Sequence, residues 1–145
     1  WLEYPSVGGA SPAVPVHVTG KGMEYFRKHQ SAVTGELPWV SSSGIKGLES
    51  LAITLLPDGA PAKDYTVRLY FAEPDDLKVG ERVFDVTIQG RRLLDDFDIV
   101  KEAGGKLKTV VKEFRGVRVD EELRLSFRPT GKRGAILCGL EVVAE

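Results

Sequence analysis

Two runs of alternating apolar and polar residues, joined by a short polar segment, constrain the fold of this chain most. Every second residue of residues 65–71 and of residues 84–89 is aromatic or aliphatic, and the residues between them are polar or charged. A period of two is typical of β-strands with one buried face and one wet face. The connecting residues 74–81 begin with Pro74 and end beside Gly80. We therefore predict that the two runs form an antiparallel pair at the centre of the core.

The same alternation recurs in short runs along the chain. Further strands are predicted at residues 1–4, 14–18, 48–56, 91–94, 107–114, 123–127 and 136–142. Pro15 cannot donate to a ladder, so its strand is expected at a sheet edge, and the uncertain phase of residues 107–114 indicates a bulge. Residues 57–63 have the composition of a hairpin loop, and residues 22–30 are predicted to be a loop with at most one helical turn.

Helix is nearly absent from the predicted elements. One short turn is expected with Asp95 or Asp96 as its N-cap and Gly104 as its stop. Eight or nine short strands with regular turn signals predict an all-β fold, a two-sheet antiparallel β-sandwich (jelly roll) with at most one or two short helical turns. We expect residues 1–145 to form a single domain excised from a larger multidomain protein, since the chain starts at Trp1 without a signal peptide.

The composition excludes several classes of function. With 20 basic and 21 acidic residues the net charge is −1, so we predict neither a nucleic-acid nor a membrane partner. No apolar run approaches the roughly 20 residues that span a bilayer. The single cysteine, Cys138, cannot form an internal disulfide and lies in an apolar run, so we interpret it as a packing residue.

The sequence contains none of the common catalytic constellations. It has no glycine-rich phosphate loop, no nucleophile elbow and no histidine or cysteine spacing that suits zinc. The carboxylates at residues 75–76 and 95–98 are sequence neighbours, whereas a glycosidase needs two carboxyl groups that face each other across a cleft. Their oxygens could bind Ca²⁺, but no motif supports a structural calcium ion, and we predict no cofactor.

The wet faces of the predicted strands offer a polar surface. If residues 65–71, 84–88 and 123–127 share one sheet, that surface presents an aromatic side chain beside several planar hydrogen-bonding groups. Its members would be Arg68, Tyr70, Asp85, Gln89, Arg124 and Arg128. Such a face suits a sugar, and it equally suits plain solvent.

Several motifs resemble the malectin-like carbohydrate-binding domains. Phe71-Ala72-Glu73 closes a predicted strand, and after eight further residues comes RVFDVTIQGRRLLDDFDIVKEAGG, residues 82–105. The opening Trp1 with the later Gly8-Gly9 pair and the closing LCGLEVV fit the same pattern; residues 65–105 are the specific part, and residues 14–56 match loosely. The resemblance implies a galactose-binding-like jelly roll, usually attached to a larger secreted or surface protein, that binds sugar through loops at one end without catalysis.

Two departures from the family pattern affect the ligand. The animal lectin of the family carries an aromatic pair just past the equivalent of Phe71-Ala72-Glu73, where this chain has Asp75 and Asp76, and its acidic residue before the last strand falls near Lys132 and Arg133 here. The resemblance therefore implies the positions of a pocket without its sugar. Aromatic residues of the early loops would complete its rim, either as lids over the sandwich or as ligand platforms. The candidate carbohydrate-binding residues are Tyr25, Phe26, Arg27, His29, Trp39, Asp75, Asp76 and Arg133.

The leading hypothesis is a non-catalytic, extracytoplasmic (secreted, periplasmic or cell-surface) module that binds an oligo- or polysaccharide and is joined to other domains of its parent chain. The alternative is a structural or protein-interaction sandwich that has lost the sugar site. Burial of Tyr25, Phe26 and Trp39 distinguishes the two, because a spacer would pack all three inward. A small hydrolase is a third option. It needs opposed carboxylates or a histidine-centred relay in one cleft, and neither histidine has an evident partner in the sequence.

Overall fold

The alternating runs form nine strands in a computed structural model, which describes residues 1–4 and 14–145. The strands are β1 Val16–Arg27, β2 Ser43–Thr54, β3 Lys63–Phe71, β4 Val83–Ile88, β5 Arg91–Asp98, β6 Val110–Val119, β7 Glu122–Pro129, β8 Ile136–Leu137 and β9 Gly139–Ala144. Two helices of one turn, α1 Pro38–Ser41 and α2 Ile99–Ala103, and a 3₁₀ turn at Gln30–Ala32 complete the described elements. The predicted all-β class with only short helical turns is confirmed.

Two antiparallel sheets enclose the core. The six-stranded sheet has the order β1-β2-β7-β4-β5, with β8 also paired to β2, and the three-stranded sheet has the order β6-β3-β9. The inward faces meet in an aromatic group in which the ring of Phe71 lies 4.8 Å from that of Phe97 and 6.0 Å from that of Phe84. Each of these rings is essentially fully buried, which contributes roughly 1.5–3 kcal/mol per side chain.

The predicted pairing of the two central runs is wrong. β3 and β4 lie in opposite sheets and face each other across the core, so residues 72–82 cross from one layer to the other. Residues 57–63 likewise join the two sheets and form no hairpin. Alternation identifies the buried residues of a strand, but it carries no information about the neighbouring strand, because both sheets require the same pattern.

The single polar face that this pairing implied is therefore also wrong. Arg68 and Tyr70 belong to the three-stranded sheet, whereas Asp85 and Arg128 belong to the six-stranded sheet. Tyr70 and Asp85 are moreover buried, so they do not lie on a freely solvated surface.

The first strand is longer than predicted. β1 lies at the edge of its sheet, as Pro15 indicated, but it continues to Arg27 through the segment predicted as a loop. Its register against β2 shifts around Gly20, and the extra residues include Gly22 at a φ of 58°. The irregularity lets a strand persist through a sequence that lacks clean alternation. Residues 1–4 form no strand, and Gly8 and Gly9 lie outside the described residues.

Predictions from local sequence signals in the later part of the chain agree better with the structure. The predicted helical turn is present as α2 and ends at Gly104, whose φ is 78°; its N-cap is Asp98 because β5 continues past Asp95 and Asp96. β6 contains a bulge, but it lies just past the predicted residues 107–114, where Arg115 and Gly116 oppose the single residue Thr66. The last predicted strand is split at Cys138, since β8 pairs with β2 and β9 pairs with β3.

Strand direction divides the molecule into two ends. The connections β1–β2, β3–β4, β5–β6 and β7–β8 emerge at one end, which we call the loop end, and include every described helical turn. The connections β2–β3, β4–β5 and β6–β7 emerge at the opposite end, which we call the turn end. Gln89 and Gly90 connect β4 to β5 there with φ values of 49° and 76°, as a type I′ turn requires.

Candidate functional site

All eight residues predicted to bind ligand lie at the loop end. Three of them end β1, one follows it, one lies in α1, two lie in residues 72–82 and one lies in residues 130–135. They are Tyr25, Phe26, Arg27, His29, Trp39, Asp75, Asp76 and Arg133. Four of them belong to two separate groups, with Phe26, Asp75 and Arg133 in one and Trp39 in the other, and the remaining four have local partners.

The first group is centred on an ion pair between Lys46 and Asp75. The Lys46 Nζ lies 2.9 Å from Asp75 Oδ2 and 5.8 Å from the centre of the Phe26 ring, and both charged side chains are partly exposed. Phe26 packs against the edge of the core and so presents only part of its ring. Lys46 was missed by the sequence analysis because it precedes the predicted strand; its place between Gly44 and Gly47 was the available signal for an irregular strand start.

A buried ion pair lies beneath this group. Arg82 donates from Nε to Glu73 Oε2 at 2.7 Å, from one terminal nitrogen to Asp75 Oδ2 at 3.1 Å and from the other to the Gly134 carbonyl at 2.6 Å. The side chain of Glu73 is fully buried and that of Arg82 is 5% exposed. The sequence analysis assigned neither a role, although Glu73 ends one family motif and Arg82 begins the next. The two motifs are therefore joined in space by this pair.

Asp75 is held in its charged form. Burial alone would raise its pKa, but the hydrogen bond and charge of Lys46, together with the charges of Arg82 and Arg133, lower the pKa below its ordinary value. An ionised carboxylate accepts hydrogen bonds only, so Asp75 can receive further donors such as hydroxyl groups on the lone pairs that its two cations leave free.

The second group consists of aromatic rings. Trp39 in α1 contacts the ring of Trp1, with centroids 5.4 Å apart and planes at 81°, and Trp1 also contacts Tyr70 at 5.5 Å. Trp39 remains 47% exposed and Trp1 56% exposed. An aromatic ring that is half in solvent does not plug the sandwich, so Trp39 has the geometry of a platform. Trp1 was not among the predicted residues.

The remaining predicted residues have local partners. Tyr25 is more than half exposed on β1, and Arg27 forms an ion pair with Glu3. The His29 ring accepts from the Ser31 backbone N–H at 3.2 Å and so caps the 3₁₀ turn. Asp76 is highly exposed and pairs with Lys106 at 2.9 Å. Arg133 acts on the site through its charge, which helps to lower the pKa of Asp75.

The described residues offer poor catalytic and metal-binding chemistry. Burial raises the pKa of the Cys138 thiol to about 12, which leaves no thiolate near neutral pH. The carboxylates of Asp85, Asp95 and Asp96 lie together, but Asp85 already accepts from the Asp96 backbone N–H at 2.8 Å and from Arg128 at 2.8 Å. A cation would have to displace that guanidinium, so the cluster is better explained as an ion-pair network.

None of the helices in the described residues has the length and apolar character needed to cross a bilayer.

Comparison with known proteins gives consistent relatives. A family model described as "Malectin domain" matches residues 52–136, more than half of the chain. A probable LRR receptor-like serine/threonine-protein kinase of Arabidopsis thaliana is 32% identical over 117 residues, which are 75% of this chain and 11% of the relative. Receptor-like protein 4 of the same plant is 34% identical over 92 residues, 62% of this chain and 15% of the relative. The chain thus spans only a small part of these relatives.

Solved structures share the fold at low sequence identity. The extracellular domain of Arabidopsis thaliana ANXUR2 superposes with a TM-score of 0.69 at 19% identity, covering 89% of this chain and 40% of that one. A Bacteroides uniformis beta-glucuronidase superposes with a TM-score of 0.70 at 17% identity, covering 97% of this chain and 15% of that one. These similarities show the architecture alone.

Proposed function

This chain belongs to the malectin domain family, and from that membership we propose that it is a non-catalytic carbohydrate-binding domain whose glycan contacts the loop end. The family match confirms the resemblance found in the sequence. The receptor-like relatives agree with the extracytoplasmic location that the resemblance implied. The proposal concerns this domain, and it takes an oligo- or polysaccharide as its ligand.

The observation that supports sugar binding best is the combination of groups at the loop end. The partly exposed Lys46 lies over the Phe26 ring and pairs with the partly exposed Asp75, and a further exposed ring is present at Trp39. A sugar needs donors and acceptors for its hydroxyls and a flat apolar surface for its ring face, and this end supplies both. The buried Arg82–Glu73 pair fixes the loop that carries Asp75, so the charged groups are held in place before a ligand arrives.

The alternative is a protein-binding domain without a sugar site. One structural neighbour is a chain in the crystal structure of the plant peptide RALF23 in complex with FER and LLG2, so a related fold occurs in a protein complex. The exposure of Tyr25 and Trp39 argues against a purely structural spacer, which would pack both rings inward. We favour the glycan because the loop end carries exposed aromatic rings as well as partly exposed hydrogen-bonding charges.

The test is an immobilised panel of neutral and acidic polysaccharides probed with the domain and with two variants. We expect binding to at least one glycan, and a loss of tenfold or more (about 1.4 kcal/mol) in Lys46→Met or Trp39→Ala. Lys46→Met keeps the packing against Phe26 and removes the charge. Glu121→Ala, an exposed residue in the β6–β7 connection at the turn end, serves as the control and should bind as the unchanged domain does. Silence across the panel would contradict the proposal.

A further inference from the structure

Trp1 packs into a shallow depression on the outer side of the three-stranded sheet, which we call the Trp1 seat and which is formed by Tyr70 and Gly139. The floor of the seat is Tyr70, which is almost completely buried below the indole ring. Its side is Gly139, where an added Cβ would clash with Val40 and would come within 3.6 Å of the Trp1 ring. The absence of a side chain at Gly139 therefore makes room for Val40, and the indole lies at ordinary van der Waals distance from the same position.

A second contact fixes the segment that carries Trp1. Glu3 forms an ion pair with Arg27, the last residue of β1. Both side chains are about half exposed or more, so the pair adds little stability by itself. The ion pair between Glu3 and Arg27 does, however, orient residues 1–4 along the loop end.

The two indole rings form an open corner. Their planes lie at 81° with centroids 5.4 Å apart, and about half of each side chain stays in solvent. Large apolar surfaces usually become buried when a fold forms, and the exposure of two adjoining tryptophans is therefore unusual for a surface with no ligand. The corner is shallow, so it fits a flat ring better than it fits an inserted side chain.

A row of charged groups begins beside this corner. Glu141 Oε2 accepts from the Tyr70 hydroxyl at 3.3 Å and from Arg68 at 2.8 Å, and Arg68 also donates to Glu113 at 2.5 Å. Both bonds to Glu141 use the same oxygen, and Oε1 has no partner among the hydrogen bonds of the described residues. These side chains are about one third exposed. A carboxylate oxygen is thus available next to an aromatic surface.

We propose that Trp1 and Trp39 form the ring-stacking platform of the glycan site, and that Glu141 accepts a hydroxyl of the same or the neighbouring sugar unit. The inference rests on the proposed carbohydrate-binding function and extends it. The apolar C–H face of one pyranose ring lies on one indole, and the edge of that ring meets the other indole. The glycan then runs from the loop end onto the outer face of the three-stranded sheet, where Glu141 lies on β9.

The chain suits a direct test because Trp1 and Trp39 are its only two tryptophans. Tryptophan emission therefore reports on this corner alone. The probes are soluble hexasaccharides: β-linked glucose, xylose, mannose and N-acetylglucosamine, and α-linked glucose. We expect at least one of them to shift the emission, with a midpoint equal to its dissociation constant from calorimetry.

Four variants locate the contact. We expect Trp1→Ala and Trp39→Ala each to weaken binding tenfold or more, and Glu141→Gln to weaken it several-fold. Trp1→Phe keeps an aromatic ring packed on Tyr70, so it should bind more tightly than Trp1→Ala. The comparison separates the loss of ring stacking on the sugar from the loss of packing against Tyr70. Leu2→Ala is the matched control because Leu2 neighbours Trp1 and is even more exposed, and it should bind within twofold of the unchanged domain.

The outcomes separate this inference from the broader function. If a hexasaccharide binds by calorimetry without changing the emission, and both tryptophan variants bind normally while Lys46→Met does not, the platform is wrong and the sugar function stands. If no hexasaccharide and no polysaccharide binds, both proposals are wrong. Loss of binding to a protein in Trp1→Ala, with no sugar bound at all, would also overturn the platform.

Discussion

Arg82 is the residue on which the geometry of the loop end depends most. Its guanidinium satisfies Glu73, Asp75 and the carbonyl of Gly134 at once, from a position with almost no solvent access. Removing two charges from water costs several kcal/mol, which good hydrogen-bond geometry offsets only in part. We interpret the pair as a device that fixes residues 72–82 and residues 130–135 to each other, with little net gain in stability.

Removing one partner should nevertheless be costly. Arg82→Ala leaves the fully buried Glu73 carboxylate without its cation, and we expect a loss of about 3–5 kcal/mol in the free energy of unfolding. Arg115→Ala removes an exposed arginine from its pair with Glu113 and should cost about 1 kcal/mol or less. Urea unfolding of both variants measures the difference. Equal losses in the two variants would show that the buried pair has no special role.

The sequence could predict where the residues of the candidate site lie, but it could not predict which residues they contact. Loop composition and family motifs placed Asp75, Trp39 and Arg133 at the edge of the sandwich, and the structure puts them at one end. The contact between Lys46 and Asp75 joins residues far apart in sequence, and no local pattern encodes it. Trp1 was overlooked for the same reason, since its seat is made by Tyr70 and Gly139 from two later strands.

Single elements were predicted well wherever a short-range signal defines them. The helical stop at Gly104 and the edge position of the strand that follows Pro15 each depend on neighbouring residues, and each is present. The pairing of β3 with β4 depends on the whole chain and was wrong. Strands of both sheets in a sandwich show the same alternation of apolar and polar residues, so this pattern cannot tell which strands pair.

The N-cap of α2 gives a prediction for one element. Asp98 accepts from the Lys101 backbone N–H at 3.1 Å, and its other oxygen accepts from the Gly80 backbone N–H at 2.6 Å. Because the carboxylate is buried and satisfies two backbone donors, Asp98→Ala should lower the free energy of unfolding by about 1–3 kcal/mol. Asp95→Ala, an exposed carboxylate on the same strand, is the control and should change it by about 0.5 kcal/mol or less. A loss in Asp98→Ala no larger than that of the control would rule out the cap.

At the scale of the whole molecule, the sequence predicted the architecture and left the path of the chain open. Nine strands in two layers follow from the period of two and the spacing of turn residues. The chain crosses between the layers after β2, β3, β5, β6 and β8, and the crossings after β2 and β3 were predicted as hairpins. Strand direction places the connections β1–β2, β3–β4, β5–β6 and β7–β8 at the loop end, which is why residues from distant segments meet there.

The carboxylates predict how stability of the whole fold depends on pH. Folding lowers the pKa values of three carboxylates. The Asp96 backbone N–H and Arg128 lower the pKa of Asp85, and Arg115 and Arg68 lower that of Glu113. Burial would raise the pKa of Asp75, but Lys46 and Arg82 outweigh it and lower the value. Ordinary values are 3.8 for Asp and 4.5 for Glu. The folded state therefore keeps these groups ionised where the unfolded chain takes up protons, so their stabilisation is complete above about pH 5 and is lost as pH falls through the lowered values.

Urea midpoints between about pH 3 and pH 7 test this dependence. We expect a constant midpoint above about pH 5 and a decline below it, with a shallower decline in Asp85→Asn, which removes one of the titrating groups. A midpoint that holds steady down to about pH 3, or rises on acidification, would show that these ion pairs do not stabilise the fold.

The raised pKa of the partly buried Cys138 has a practical consequence for handling the protein. It is the only thiol of the chain, and burial raises its pKa, so little thiolate is present to react with alkylating reagents at neutral pH. A cysteine introduced at Glu121, in the short connection between β6 and β7, would be the one reactive thiol and would lie at the turn end. Maleimide coupling through that position would orient every molecule on a sensor chip alike, with the tryptophan corner facing the flowing sample.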